Sequence, residues 1–315
     1  MSDVLTIAVL VGGPSAEAEV SRNSGAQVAA ALAANGHSIH ELELDQHAVK
    51  QLIELRPDVV FPVLHGPPGE DGTVQGMLEM LGLPYVGSDV RGSAFAMDKA
   101  VAKDIFQRAD LPVLSDLVIY PDAPISAQAR RIEDHFGTSI VVKPLNQGSA
   151  LGVTPMPEGG DIEQAIASAL QYGPCLVEPY LAGMEATVGI LDRGDRLEAF
   201  PVIEIRTADN EWYDYENRYA VGQSEHVMPP NLSEDCQTEL KRIAEIAHRA
   251  LGLRDLSRAD FIVGEAEEII LLEVNTLPGM TPTSLYPDAA ANLGYAFREL
   301  MDILVQQAYK RRPSR

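Results

Sequence analysis

Leu5 to Val11 is an apolar run of one strand's length that stops at Gly12-Gly13. A strand without polar alternation is buried on both faces, which places it in a parallel sheet covered by helices. Helical spacing follows from about Ser15 to Ala34 and ends at Asn35-Gly36. Val59 to Leu64 repeats the strand and is broken by His65-Gly66-Pro67-Pro68-Gly69; Thr73 to Leu81 reads as a short helix. Residues 1–88 are thus expected to form an α/β lobe whose functional loops follow the C-terminal ends of its strands.

The alternation continues at smaller scale over residues 89–182. A helix is predicted from Asp98 to Ala109, with strands at Val113–Tyr120, Ser139–Pro144 and Cys175–Tyr180 and a helix starting near Asp161. Residues 183–315 open with two strands, Glu185–Leu191 and Leu197–Arg206, then a polar, aromatic-rich loop to about Asn231. Ser233, followed by Glu234 and Asp235, is an N-cap candidate. Strands at Arg258–Gly264 and Ile269–Thr276 flank an acidic turn, and a helix closes the chain. Three lobes agree with 315 residues at roughly 100–200 per domain.

The net charge of -22 excludes some partners. An acidic surface repels phosphate backbones and anionic lipid, so neither nucleic acid nor membrane is expected as a partner. Any anionic ligand must then be met by locally concentrated Lys, Arg or backbone N–H groups. Cys175 and Cys236 lie far apart without a CxxC, which argues against a disulfide framework and a zinc site. No signal segment precedes the first strand and no apolar run spans a bilayer, so a cytoplasmic location is expected.

The strands around Glu265–Glu268 carry the strongest chemical signal. With those four residues as the turn, Gly264 faces Ile269, Asp260 faces Glu273, and Arg258 faces Asn275, all four of the latter side chains sharing one face. Two carboxylates opposed across a ladder repel unless a cation lies between them. Asp, Glu and an Asn amide form an oxygen-only donor set suited to magnesium that also holds phosphates. The bland reading is a solvated acidic hairpin, which suffices for the turn acids; the apolar flanks Phe261, Ile262, Leu271, Leu272 and Val274 favour the metal reading for Asp260 and Glu273.

Lys143 stands alone in the apolar strand Ser-Ile-Val-Val-Lys-Pro-Leu, directly before Asn-Gln-Gly-Ser-Ala-Leu-Gly. A lysine there must meet an anion or reach water. Gly148 and Gly152 let backbone N–H groups close on phosphate oxygens. The loop is no Walker A sequence and by itself is equally an ordinary turn; beside Lys143 and the hairpin it points to a nucleoside triphosphate.

The ordered motifs Val-Gly-Gly-Pro-Ser-Ala-Glu-Ala-Glu-Val-Ser (11–21), His-Gly-Pro-Pro-Gly-Glu-Asp-Gly (65–72), Met-Asp-Lys (97–99), Val-Lys-Pro (142–144), Tyr-Asp-Tyr-Glu-Asn-Arg-Tyr (213–219) and Leu-Glu-Val-Asn-Thr-Leu-Pro-Gly-Met-Thr (272–281) resemble those of D-alanine–D-alanine ligases. The resemblance spans about residues 5–300 and implies an α/β, three-lobed ATP-grasp fold with an N-terminal parallel-sheet domain. It implies ATP-dependent joining of two D-alanine molecules through an acyl phosphate, for peptidoglycan precursors, with ATP and two Mg2+ ions (or Mn2+) and a homodimer; the apolar helix at 73–81 is the candidate contact. The roles it implies are ATP phosphates on Lys99 and Lys143, adenine at Glu178 and the backbone of Tyr180 and Leu181, with Trp212 stacked nearby, and ribose at Glu185. Asp260, Glu273 and Asn275 would bind metal. Glu17, with His65 nearby, would anchor the first D-alanine and join Ser149 and Tyr219 in a hydrogen-bonded group. Arg258, the Gly279 N–H, Ser284 and Leu285 would hold the second D-alanine and the oxyanion.

Read on residues alone, Glu17 also suits a helix dipole, His65 a loop, Trp212 a core and Tyr219 a surface. Two positions depart from the family: Ala150 stands where a second loop serine is common, and Arg218 where lysine is common beside the loop tyrosine. The 146–152 and 207–230 loops are expected to close together as lids that exclude water. The competing readings are a related ligase using D-lactate, D-serine or another amino acid as second substrate, and a non-catalytic ATP-binding protein. Against the latter, Asp260, Glu273, Asn275 and Arg258 are all present.

Overall fold

The computed structural model describes residues 4–148, 150–207, 224–281 and 284–312. Three sheets follow one another along the chain. Strands β1 (Thr6–Val11), β2 (Ser38–Glu43) and β3 (Val59–Pro62) form a parallel sheet in the order β2-β1-β3. The centre strand β1 is buried from Ile7 to Val11, the mark of a sheet covered on both faces. Helix α1 (Ala18–Ala34) packs on one face. The same core takes in Leu300, Met301, Leu304 and Val305 of the last helix, Phe297–Lys310, so the two ends of the chain share one core.

The second sheet is antiparallel: β4 (Leu117–Ile119), β5 (Ile140–Pro144), β6 (Thr154–Met156) and β7 (Cys175–Pro179), in the order β4-β7-β5-β6. The third contains β8 (Met184–Asp192), β9 (Leu197–Ala199), β10 (Ile203–Thr207), β11 (Ser224–Val227), β12 (Leu256–Val263) and β13 (Ile269–Asn275). Its order is β11-β10-β8-β12-β13, with β9 on β8. The single strand expected over Leu197–Arg206 is therefore two. Pro201 has no N–H for a ladder, and the Phe200 N–H bonds back to Gly189 O at 2.8 Å, which turns the chain between them.

Helix Glu234–Leu251 begins as its sequence predicts. Ser233 Oγ accepts from Cys236 N at 3.2 Å, Glu234 and Asp235 sit at the positive end, and Gly252 ends it at φ 70°. The Ser233 N–H donates to Glu267 at 2.7 Å and its hydroxyl meets the same carboxylate. Glu267 is therefore a partner of the cap, which corrects the expectation that the turn acids are merely solvated. Cys175 and Cys236 are both free and buried, so no disulfide joins them.

One polar knot ties the C-terminus to the sheet junction. Asp255, buried and left-handed at φ 65°, accepts a forked pair from Arg311, both bonds 2.6 Å, and a third bond from Gly87 N at 2.8 Å. Arg311 also donates to Tyr85 O at 2.8 Å, and Arg254 to Gly87 O at 2.8 Å.

Candidate active site

The β12–β13 hairpin places Asp260 opposite Glu273 and Arg258 opposite Asn275. The turn producing that register is not the expected one. Gly264 N bonds Glu268 O at 2.8 Å, leaving a three-residue turn, Glu265-Ala266-Glu267, with Glu267 at φ 58°. Phe261 then faces Leu271, and the register shifts between Asp260 and Phe261, leaving Leu272 as the extra residue of a bulge. The short turn moves the pairing by one residue and the bulge moves it back. Without the bulge Glu273 would face Ala259 and point to the other side of the sheet.

Arg258, Asp260 and Glu273 line a cleft between the second and third sheets. Arg258 Nε and a terminal nitrogen donate to the two Asp260 oxygens at 2.8 and 2.7 Å. Thr187, opposite Asp260 on β8, places its hydroxyl 2.6 Å from Oδ1. Asn275 Oδ1 accepts from Leu277 N at 3.0 Å, holding the chain as it leaves the hairpin. Among the described residues no cluster of three or more His, Cys, Asp or Glu side chains gathers for a metal. Two facing carboxylates and an amide suit a hard ion that completes its shell with phosphate and water; Asp260 Oδ1 is taken by Arg258 and Thr187, and Oδ2 keeps a second lone pair beyond Arg258.

Helix Lys99–Arg108 supplies the basic wall. Asp98 caps it by accepting from Ala100 and Val101 N, both 3.1 Å, which fixes Lys99 at the first helical position. Lys99 Nζ donates to Gln147 O of the glycine loop at 2.7 Å and lies 3.4 Å from Glu273, so it bridges loop and hairpin. Lys143 points from β5 into the cleft and pairs with Glu178 of β7. Burial pushes the Glu178 carboxyl up, but Lys143 and Lys103 overcome it and hold the group below the usual range. Glu185, Tyr180 and Leu181 complete this end of the cleft. The Tyr180 N–H is already donated to Ser139 O at 3.0 Å, so a base can be read there by the Tyr180 carbonyl and the Leu181 N–H, not by both amides. Ala150, at φ 57° in the glycine loop, costs about 1 kcal/mol relative to glycine in that conformation.

The N-terminal lobe meets this wall through Glu17. It sits at the first turn of α1 without capping it, is buried, and its Oε2 approaches within 3.6 Å of where a side-chain carbon on Gly148 would stand. His65 is buried beside it. Burial, helped by Arg258 and opposed by Glu17, lowers its pKa, and its Nε2 has no hydrogen-bond partner among the described residues. Glu70 accepts from Gly66 N at 2.6 Å, and burial raises its pKa from 4.5 to about 8. Because the folded value lies above the unfolded one, the neutral acid favours the fold fully below pH 4.5, and this is lost as pH rises towards 8. Glu70→Gln is therefore expected to gain Tm relative to the parent between pH 5 and 8, by a few degrees in thermal unfolding. A difference that stays flat with pH would mean Glu70 titrates alike in both states.

Leu285 reaches the cleft from the start of helix Leu285–Asn292. Ser284, just before it, lies 2.7 Å from Thr281 Oγ1, and Gly279 packs so closely on Ser284 that a side-chain carbon would stand 3.0 Å from its hydroxyl. Ser149, Trp212, Arg218 and Tyr219 lie outside the described residues. Lys103, Thr187 and Glu70 escaped the sequence reading. Lys103 shares a helix face with Lys99, four residues on, which is a usable signal; Thr187 needs the β8–β12 register, and the burial of Glu70 has no local sign.

The site can be set beside known proteins. The family models described as D-ala D-ala ligase N-terminus and C-terminus match residues 40–88 and 105–306. The chain belongs to the D-alanine–D-alanine ligase family. The ligase of Halalkalibacterium halodurans is 42% identical over 309 residues, 98% of this chain and 100% of that one. The Moorella thermoacetica ligase is 42% identical over 96% of this chain and 99% of its own. The solved D-alanine–D-alanine ligase from Bacillus anthracis complexed with ATP superposes with TM-score 0.83 at 28% identity, covering 98% of this chain and 99% of that chain. The VanG D-Ala:D-Ser ligase from Enterococcus faecalis gives 0.84 at 29% identity, covering 98% and 100%. The fold is thus the α/β ATP-grasp fold of these ligases.

Proposed function

We infer that the chain is an ATP-dependent ligase joining two D-alanine molecules into D-alanyl-D-alanine for peptidoglycan precursors. The observation that carries this reading is the single cleft in which Lys99, Lys143 and Glu178 face Arg258, Asp260 and Glu273. ATP lies between the second and third sheets, its phosphates on Lys99 and Lys143, its base at Glu178, the Tyr180 carbonyl and the Leu181 N–H, and its ribose at Glu185. A divalent cation, Mg2+ or Mn2+, held by Asp260, Glu273 and Asn275, supplies charge neutralisation for phosphoryl transfer.

A carboxylate is a poor electrophile, and transfer of the γ-phosphoryl group to the first D-alanine gives it a leaving group. Glu17 binds the ammonium of that D-alanine, and the unfilled His65 Nε2 takes a further bond from it. The amine of the second D-alanine then attacks; Arg258 and the Gly279 N–H receive the charge developing on the carbonyl oxygen, and phosphate leaves. Ser284 and Leu285 seat the second substrate. The three lobes, 1–88, 89–182 and 183–315, belong to this reading and are supported by the succession of three sheets. So does a homodimer: Met80, 92% exposed on the 73–80 helix, offers an apolar contact. A cytoplasmic site agrees with the absence, among the described residues, of a helix able to cross a membrane.

Phosphate release with ATP and Mg2+ tests the reading. D-Alanine should support turnover at least about a hundredfold above L-alanine, and above D-serine and D-lactate as second substrates. Equal rates with L- and D-alanine would end it.

A further inference from the structure

Glu178 is gripped from two sides, and only one grip belongs to the cleft. Lys143 contacts one carboxylate oxygen and lines the cavity; Lys103 reaches the other at 3.1 Å from behind. Lys103 is 2% exposed and does not line the cavity, and its Nζ is also 3.1 Å from Asp116. An ammonium buried between two carboxylates is held in place by both.

The two lysines therefore differ in what a nucleotide does to them. Triphosphate oxygens compete with Glu178 for Lys143, which stands at the cavity wall. They cannot reach Lys103. Once Lys143 turns to phosphate, a buried carboxylate with no second partner would be costly and would protonate or swing away. Glu178 accepts the exocyclic N–H of adenine most strongly while it is ionised and aimed; protonated, it can turn an O–H donor towards the base instead.

We propose that Lys103 is a positioning residue for base recognition: anchored by Asp116, it keeps Glu178 charged and directed into the cleft when Lys143 leaves for the triphosphate. This rests on the reading of the cleft as an ATP site. Hypoxanthine, which presents a carbonyl where adenine has its amine, is the matching probe, because an ionised Glu178 repels it.

The test compares kcat/KM for ATP and inosine triphosphate, with D-alanine and Mg2+ saturating, in the parent and in Lys103→Met. The parent should favour ATP. The variant should lose roughly tenfold to a hundredfold with ATP, mostly in KM, and less than about threefold with inosine triphosphate. Lys103→Met leaves Asp116 without its ammonium, so Lys103→Met/Asp116→Asn, which keeps the net charge of the cluster, is measured as well. A structural role alone would depress both nucleotides together. An ATP preference in the double variant within about twofold of the parent would overturn the proposal. A parent enzyme that releases no phosphate from ATP would instead remove the nucleotide reading on which it stands.

Discussion

Glu273→Gln is expected to lower kcat by about a thousandfold and to raise the Mg2+ concentration needed for half-activity, while the fold persists. Glutamine fills the same volume, so the hairpin register has no reason to change. What changes is charge. Glu273 faces Asp260 across β12 and β13, and its oxygen lies 3.4 Å from Lys99. A neutral amide offers one oxygen where the carboxylate offers two, and it leaves Lys99 without its anion. On the proposed reading, a cation and the phosphates it carries would then lose half of the facing pair that holds them. Glu273 is the cleaner position to alter, since Asp260 also anchors the Arg258 guanidinium and takes the Thr187 hydroxyl. Phosphate release titrated with Mg2+, beside thermal unfolding, reads both effects. Activity within about tenfold of the parent at every Mg2+ concentration would remove Glu273 from the metal site.

The second large effect lies far from the cleft. Arg311→Ala is expected to cost about 2–3 kcal/mol, a fall of several degrees in Tm, with turnover at 25 °C retained. The reason is Asp255, which is 2% exposed and would keep only the Gly87 N–H of its three donors. Arg311 is itself partly exposed, and solvent screening keeps the value below that of a wholly buried pair. Asp255→Asn is the suitable partner in a double-mutant cycle, because asparagine tolerates the left-handed backbone at this position. A coupling energy under about 0.5 kcal/mol between the two changes would show that the fork adds nothing to stability.

The sequence made some of this molecule plain and hid the rest for identifiable reasons. Continuous apolar strands such as β1 announce burial on both faces, and the caps at Asp98, Asp161 and Ser233 are legible because one side chain bonds one nearby amide. The Asp260–Glu273 and Arg258–Asn275 pairings are legible in the sequence, yet through a four-residue turn that the chain does not form; nothing local in Leu272 marks it as a bulge. The strand break at Phe200-Pro201 was legible in principle from proline's missing donor. The anchoring of Glu178 by Lys103 and of Lys103 by Asp116 joins three separate elements, and such contacts become visible only once helix, loop and strand are assembled. Neighbouring residues likewise gave no hint that Glu70 is buried.

The irregularity at Leu272 also separates two properties of the hairpin that would otherwise be locked together. Chain length at the tip and the facing of the two acids are set by different residues. A tip one residue longer with a straight ladder, and the present shorter tip with its kink, bring the same two acids together. Changes in length at this surface loop can therefore be absorbed by the strand before they reach the chemistry beneath it.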